Sequence, residues 1–206
     1  MQVLPLGLWL DLLGTFVFGL SGGMLAVRRE LDVFGITVLA VAAALAGGML
    51  RDIALGATPP AAFADGCYLV AALGSALCAF FGHRLIARLN KPVMILDAIG
   101  LGLFAVSGCG KALSFGLDPL PAVVLGILTA VGGGTVRDVL VAEVPRVLRE
   151  EVYALAALLG ALVVVLGAAL DLNEGWTAAA GVAAAAAFRI VSVWRGWQAP
   201  RAPRSR

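Results

Sequence analysis

Residues 131–138 read "VGGGTVRD", and residues 45–52 read "LAGGMLRD". In each, an apolar run meets consecutive glycines and then, within one helical turn, an arginine followed by an aspartate. The copies lie 86 residues apart, and that spacing organises most of the chain. Shifted by 86, "LDLLGTFVFGLSGG" (10–23) lies over "LDAIGLGLFAVSGC" (96–109), and "LDVFGITVLAVAAALAGGMLRD" (31–52) lies over "LDPLPAVVLGILTAVGGGTVRD" (117–138), without a gap. Over 10–56, 16 of 47 positions are identical, among them Asp11/Asp97, Gly14/Gly100, Phe18/Phe104, Ser21/Ser107, Gly47/Gly133, Gly48/Gly134, Arg51/Arg137 and Asp52/Asp138. Apolar bias aligns leucine with leucine by chance. It does not align aspartates, an arginine and glycines in one register.

The medium around the chain follows from composition. Of 206 residues, 61% are hydrophobic and only 14% charged, and the mean hydropathy is +1.00. Soluble domains sit nearer 45–50% apolar and about 25% charged. So much apolar surface in a short chain implies a bilayer, where only helices and closed barrels satisfy their backbone groups. Long runs of Ala, Leu, Val and Gly without period-2 alternation predict helices.

Seven stretches are long enough to span, at about 8–27, 33–54, 67–89, 93–114, 119–140, 151–171 and 176–195. Charged or proline-bearing breaks separate them: "RRELD" (28–32), "GATPPAAFADG" (56–66), "LNKP" (89–92), "LDPLP" (117–121) and "LNEG" (172–175). No Lys or Arg precedes the first run, so it is expected to be a retained span and not a cleaved signal. The expected organisation is one transmembrane domain over 1–206. Repeat one covers about 8–89, repeat two about 93–171 and a seventh helix about 176–195, with a basic, proline-rich tail at 198–206 expected to be disordered.

Basic residues give the orientation. Thirteen of the fifteen Lys and Arg fall on one side of these spans; only Arg51 and Lys111 fall on the other. The positive-inside rule makes the first side cytoplasmic, with the N-terminus outside. Each repeat holds three spans, an odd number, so the second copy enters the membrane inverted. This is the pattern of many transport proteins. The fold class expected is therefore an all-α integral membrane protein with two inverted three-helix repeats and a seventh helix.

Other chemistries find no support. The basic residues form no nucleic-acid face. Cys67, Cys78 and Cys109 have no metal-ligand or disulfide spacing and read as small buried hydrophobes. "GGGTVRD" lacks the Lys-Ser/Thr ending of a phosphate-binding loop. No nucleophile–base pair or metal cluster appears, so neither catalytic residues, a metal nor a cofactor is expected.

The duplicated residues are the candidate site. Gly47, Gly48, Gly132, Gly133 and Gly134 either kink spans 2 and 5 beside a water-filled path or permit close helix packing. Arg51 and Arg137 are either pore or gate residues or anchors reaching toward headgroups. Adjacent Arg51 and Asp52, like Arg137 and Asp138, point about 100° apart on a helix and are not expected to face each other. Depth in the membrane instead pairs Asp11 with Arg51 and Asp97 with Arg137. Lys111, one turn inside the outer end of span 4, is placed to snorkel. Ser21, Ser107, Thr15, Thr129 and Thr135 either supply pore oxygens or bond back to their own helices, with the duplicated Ser21 and Ser107 favoured. Tyr153 either is an interfacial belt residue, the reading favoured, or hydrogen-bonds a pore group. Arg84, Arg88, Lys91, Arg146 and Arg149 suit anionic headgroups.

At these residues the chain resembles a known family. The tandem "SG…GGMLRD" and "SG…GGGTVRD" units with "EVPRVLREEVYA" (143–154) are similar to those of the bacterial UPF0126 family, which is related to the trimeric intracellular cation (TRIC) channels. The likeness covers roughly 8–197. It implies a homotrimer in the bacterial inner membrane with one pore per protomer. It also implies passage of monovalent cations, chiefly potassium, along glycine-kinked spans 2 and 5, and makes Lys111 a candidate voltage-responsive gate. Ala46 stands where the second copy has Gly132, so a shallower bend is expected in span 2. The resemblance carries a second reading on the same scaffold, a carrier for a small amino acid such as glycine.

Overall fold

The computed structural model of the chain describes residues 5–86, 92–149 and 152–197. Seven long helices appear there: α1 (Pro5–Arg28), α2 (Val33–Ala54), α4 (Gly66–Ile86), α5 (Pro92–Ser114), α6 (Pro119–Leu140), α8 (Val152–Ala169) and α9 (Glu174–Arg195). Each carries a segment long and apolar enough to cross a membrane. Two one-turn helices that the sequence does not announce, α3 (Ala61–Ala64) and α7 (Arg146–Arg149), follow α2 and α6. The tail at 198–206, Arg88, Lys91 and residues 87–89 of the expected third span lie outside the described residues.

Local chemistry sets the helix ends. Asp32 accepts a hydrogen bond from the Gly35 amide and starts α2, satisfying one of the amides a helix start leaves unpaired. Pro119 in the first turn starts α6 with its torsion already helical. The Asn173 side chain accepts from the Gly175 and Trp176 amides, so α9 begins two residues before the expected 176. The sixth span ends at Ala169 rather than 171, because Asp171 takes a left-handed conformation with φ 50°.

The 86-residue repeat recurs in the backbone. Left-handed residues occur at Glu30 and Gly116, and again at Gly56 and Ala142, each pair one repeat apart. Each closes the same helix ending: the Leu31 amide bonds the Ala26 carbonyl as the Leu117 amide bonds that of Ala112, both at 3.1 Å. The Ala57 amide bonds the Asp52 carbonyl as the Glu143 amide bonds that of Asp138, both at 2.9 Å. These are Schellman-type closures. Beyond them the register slips by one: Pro60 and Tyr68 correspond to Pro145 and Tyr153, 85 residues on.

Contacts between the copies show how they are related. A Cβ on Gly14 would stand 2.7 Å from the Phe104 ring, and one on Gly100 would stand 2.7 Å from the Phe18 ring. A Cβ on Gly47 would stand 2.2 Å from the Thr129 carbonyl oxygen, and one on Gly133 would stand 2.3 Å from that of Ala43. Each contact thus has a mate with the copies exchanged, the mark of a two-fold relation. Moving forward from 14 to 18 on α1 moves backward from 104 to 100 on α5. Moving from 43 to 47 on α2 moves from 133 to 129 on α6. Both helix pairs therefore run antiparallel. The two copies meet through α1 on α5 and α2 on α6, while α4 packs on α1 and α2, and α8 packs on α5 and α6. The seventh helix, α9, covers α5 and α8. Gly160 and Gly181 approach there, and a Cβ on Gly181 would stand 3.1 Å from the Gly160 carbonyl oxygen, the small-residue packing that helices in lipid use.

Two buried charge clusters at opposite ends of the core

The clusters are called outer and inner after the orientation the sequence predicts, and the outer one is built on the end of α2. Arg51 is 1% exposed and donates through Nη1 and Nη2 to both carboxylate oxygens of Asp11 on α1, each at 2.8 Å. Its Nε donates to Asp52 Oδ1 at 2.8 Å. Lys111 on α5 donates through Nζ to the same oxygen at 2.7 Å. The Tyr68 hydroxyl on α4 donates to Asp11 Oδ2 at 3.2 Å, and the Ala61 amide opening α3 donates to Asp52 Oδ2 at 2.9 Å. Two carboxylates and two cations neutralise one another here. An uncompensated charge at such a site costs several kcal/mol.

The inner cluster is its repeat image with a different grip. Arg137 on α6 donates through Nη1 to Asp97 Oδ1 at 2.6 Å and to Ser21 Oγ of the other repeat at 2.8 Å. Its Nε and Nη2 both donate to Asp138 Oδ1, at 2.9 and 2.8 Å. The Arg146 amide opening α7 donates to Asp138 Oδ2 at 3.0 Å, matching Ala61. Tyr153 on α8 is 1% exposed. Its hydroxyl lies 3.0 Å from where a Cβ of Gly134 would stand, with Asp97 Oδ1 at 3.7 Å from the same point. A cation from outside the repeat also stands here: the Arg189 guanidinium of α9 lies 5.0 Å from the Tyr153 ring centroid.

Several expectations need correcting. Arg51 and Arg137 do not snorkel; they are buried in carboxylate pairs. Neighbours 100° apart do meet: after Asp11 or Asp97 engages the far end of the fork, the Nε edge of the long arginine folds back onto Asp52 or Asp138. Lys111 does not reach for headgroups, because Asp52 holds it. Tyr153 is a core residue and not a belt residue. Cys109 is buried, whereas Cys67 and Cys78 are exposed on α4.

The glycines divide their work. Both α2 and α6 run as unbroken helices through them. Gly47 and Gly133 let the backbones of α2 and α6 touch, and Gly132 packs against the Gly47 Cα. Gly48 and Gly134 instead leave room beside the Arg51 and Arg137 guanidiniums. Thr129 and Thr135 bond back to Leu125 and Val131 of their own helix. Thr15 is buried beside the outer cluster. Ser21 is drawn into the inner cluster, whereas its repeat mate Ser107 is buried with its Oγ unpaired among the described residues. Ser107 lies instead on a cavity of about 670 Å³ bounded by α1, α5, α8 and α9. Asp11 and Lys111 reach this cavity from the cluster, and the exposed Asp171 and Glu174 also line it. Tyr68 and Arg189 are the members sequence reasoning missed as site residues. The chain has only two tyrosines, and their 85-residue separation is the signal that one skipped residue would reveal.

Comparison with known proteins agrees with this geometry. One family model, described as "Glycine transporter", matches the chain twice, at 8–84 and 94–169, one match per repeat. A UPF0126 membrane protein of Deinococcus radiodurans is 47% identical over 74% of this chain and 72% of its own length. One from Streptomyces coelicolor is 46% identical over 96% and 91%, and an inner membrane protein of Escherichia coli from the same family is 42% identical over 75% of each. Among solved structures, the TRIC trimeric intracellular cation channel orthologue of Rhodobacter sphaeroides superposes with a TM-score of 0.88 at 36% identity, covering 94% of this chain and all of that one. A further TRIC cation channel structure gives 0.84 at 34% identity, covering 96% and 97%. The chain belongs to the bacterial UPF0126 membrane-protein family and has the fold of the TRIC channels.

Proposed function

We propose that the protein is a cation-permeable channel of the bacterial inner membrane, conducting chiefly potassium through one pathway in each protomer of a homotrimer. The observation that carries the reading is the pair of charge clusters. Antiparallel copies place a carboxylate-rich, arginine-centred cluster at each end of a shared core, where lipid alone would exclude charge. A cation entering from either side meets Asp11 and Asp52, or Asp97 and Asp138, held by the ends of α2 and α6. Opening requires Arg51 and Arg137 to release these carboxylates, so the two helices line and gate the path. The core between the clusters is closed in this conformation.

Charge and contacts together support one orientation. Arg29, in the turn after α1, pairs with Glu143, just past α6, and the positive-inside rule assigns both segments to the cytoplasm. Exposed Trp9 and Trp176 lie at one end of the spans and Trp194 and Trp197 at the other, as interfacial belts require. The N-terminus is then outside, and no catalysis or bound cofactor is invoked.

A second reading, a carrier for a small amino acid, is favoured by the cavity at Ser107, whose volume is in the range of small-molecule sites, and by the "Glycine transporter" description of the family model. Purified protein in liposomes distinguishes the two. Potassium flux that follows the potassium gradient and does not saturate supports the channel. Saturable uptake of labelled glycine without potassium flux replaces it with the carrier.

A further inference from the structure

We infer that the stacked pair Phe18–Phe104 is a dry plug separating the two charge clusters, and that permeation requires these rings to part. The inference rests on the channel reading. The rings lie 5.4 Å apart at an interplanar angle of 15°, and both are buried. They are each other's repeat mates, so the pair lies on the pseudo-two-fold axis. That is where a path leaving one copy's cluster must pass to the other's. Phe104 faces a narrow cleft that it shares with Asp11, Gly48, Arg51 and Tyr68, so the outer cluster ends on this ring. On the other side the Phe18 ring abuts Gly133, one residue before the glycine that faces Arg137.

Each ring fits a socket in the opposite copy, Gly14 for Phe104 and Gly100 for Phe18, where a Cβ would approach to 2.7 Å. Glycine rather than alanine at both sockets lets the rings settle flat and leave no gap. Leu101, Ala105 and Ala130 complete the apolar wall. An apolar constriction of this kind excludes water and stops ions without a charged gate. Movement of α1 against α5 would unstack the rings and open the charged clusters to each other.

The test uses the full-length protein in planar bilayers, comparing potassium current through wild type, Phe104→Asn, Phe18→Asn and Phe104→Leu at matched incorporation. Size-exclusion profiles and melting curves identify folded variants. A polar side chain at either ring position should wet the constriction and raise the open fraction about three- to tenfold, the shift that losing one aromatic pair produces. The smaller apolar leucine should give a rise of about twofold. If neither Asn variant folds, Phe104→Leu decides alone. Folded variants with wild-type current overturn the plug and leave the channel reading standing. A silent wild type overturns both.

Discussion

Gly47 and Gly133 meet the opposite helix at one crossing from its two sides, each where a Cβ would stand within 2.3 Å of a backbone carbonyl oxygen. The obstacle is backbone and cannot turn aside. Gly48, one residue on, has only the Arg51 guanidinium near it, at 3.9 Å. Gly47→Ala and Gly133→Ala should therefore each destabilise the protein by about 1–3 kcal/mol or more. Gly48→Ala should be near neutral in the same detergent melting series. Equal effects at 47 and 48 would mean that the helices do not cross here.

The Arg51–Asp11 pair predicts non-additivity. Truncating either partner leaves a buried charge and should cost about 3–5 kcal/mol. Asp11→Ala combined with Arg51→Ala should cost clearly less than the sum, with a coupling of at least about 1 kcal/mol. Denaturation of the four proteins measures it. Arg51→Lys should rescue poorly, since one ammonium cannot reproduce three fork contacts with two carboxylates.

Tyr68 and Tyr153 face equivalent carboxylates, and the Tyr68 hydroxyl donates to Asp11 Oδ2 at 3.2 Å. Tyr68→Phe should cost about 1.5–3 kcal/mol, the worth of a hydrogen bond to a charged group. Thermal unfolding checks this. A Tyr68→Phe protein melting with wild type would remove Tyr68 from the cluster.

Lys111 shares Asp52 with Arg51 and is the more exposed of the two cations. It is the freer of the two to move in an applied field. One charge crossing the whole membrane gains about 2.3 kcal/mol per 100 mV, and Lys111, near one end of its span, would traverse only part of it. Open probability should therefore depend weakly on voltage, and Lys111→Met should flatten the dependence further. Asp52 would still be held by Arg51 and the Ala61 amide, so the variant should fold. An unchanged voltage slope would remove Lys111 from gating.

Much of this arrangement is legible in the sequence because charge inside an apolar chain is informative. The spans follow from hydropathy, and the Asp11–Arg51 and Asp97–Arg137 pairs follow from depth and duplication. What escapes is what side-chain length and small offsets decide. A helical wheel separates Arg51 from Asp52, but it omits the reach of a long guanidinium. A one-residue slip after Ala142 hides the match between Tyr68 and Tyr153. Arg189 stands on a helix outside the repeat, so duplication cannot point to it. The glycine runs announce that side chains are unwelcome. They do not say whether a neighbouring backbone or a neighbouring arginine needs the space.

Single-channel recording of the purified protein in potassium chloride decides whether the protein conducts. Discrete unitary currents carried by potassium are expected, altered in Arg51→Ala and Arg137→Ala proteins that still assemble. Bilayers that stay silent with folded, incorporated wild-type protein would contradict it.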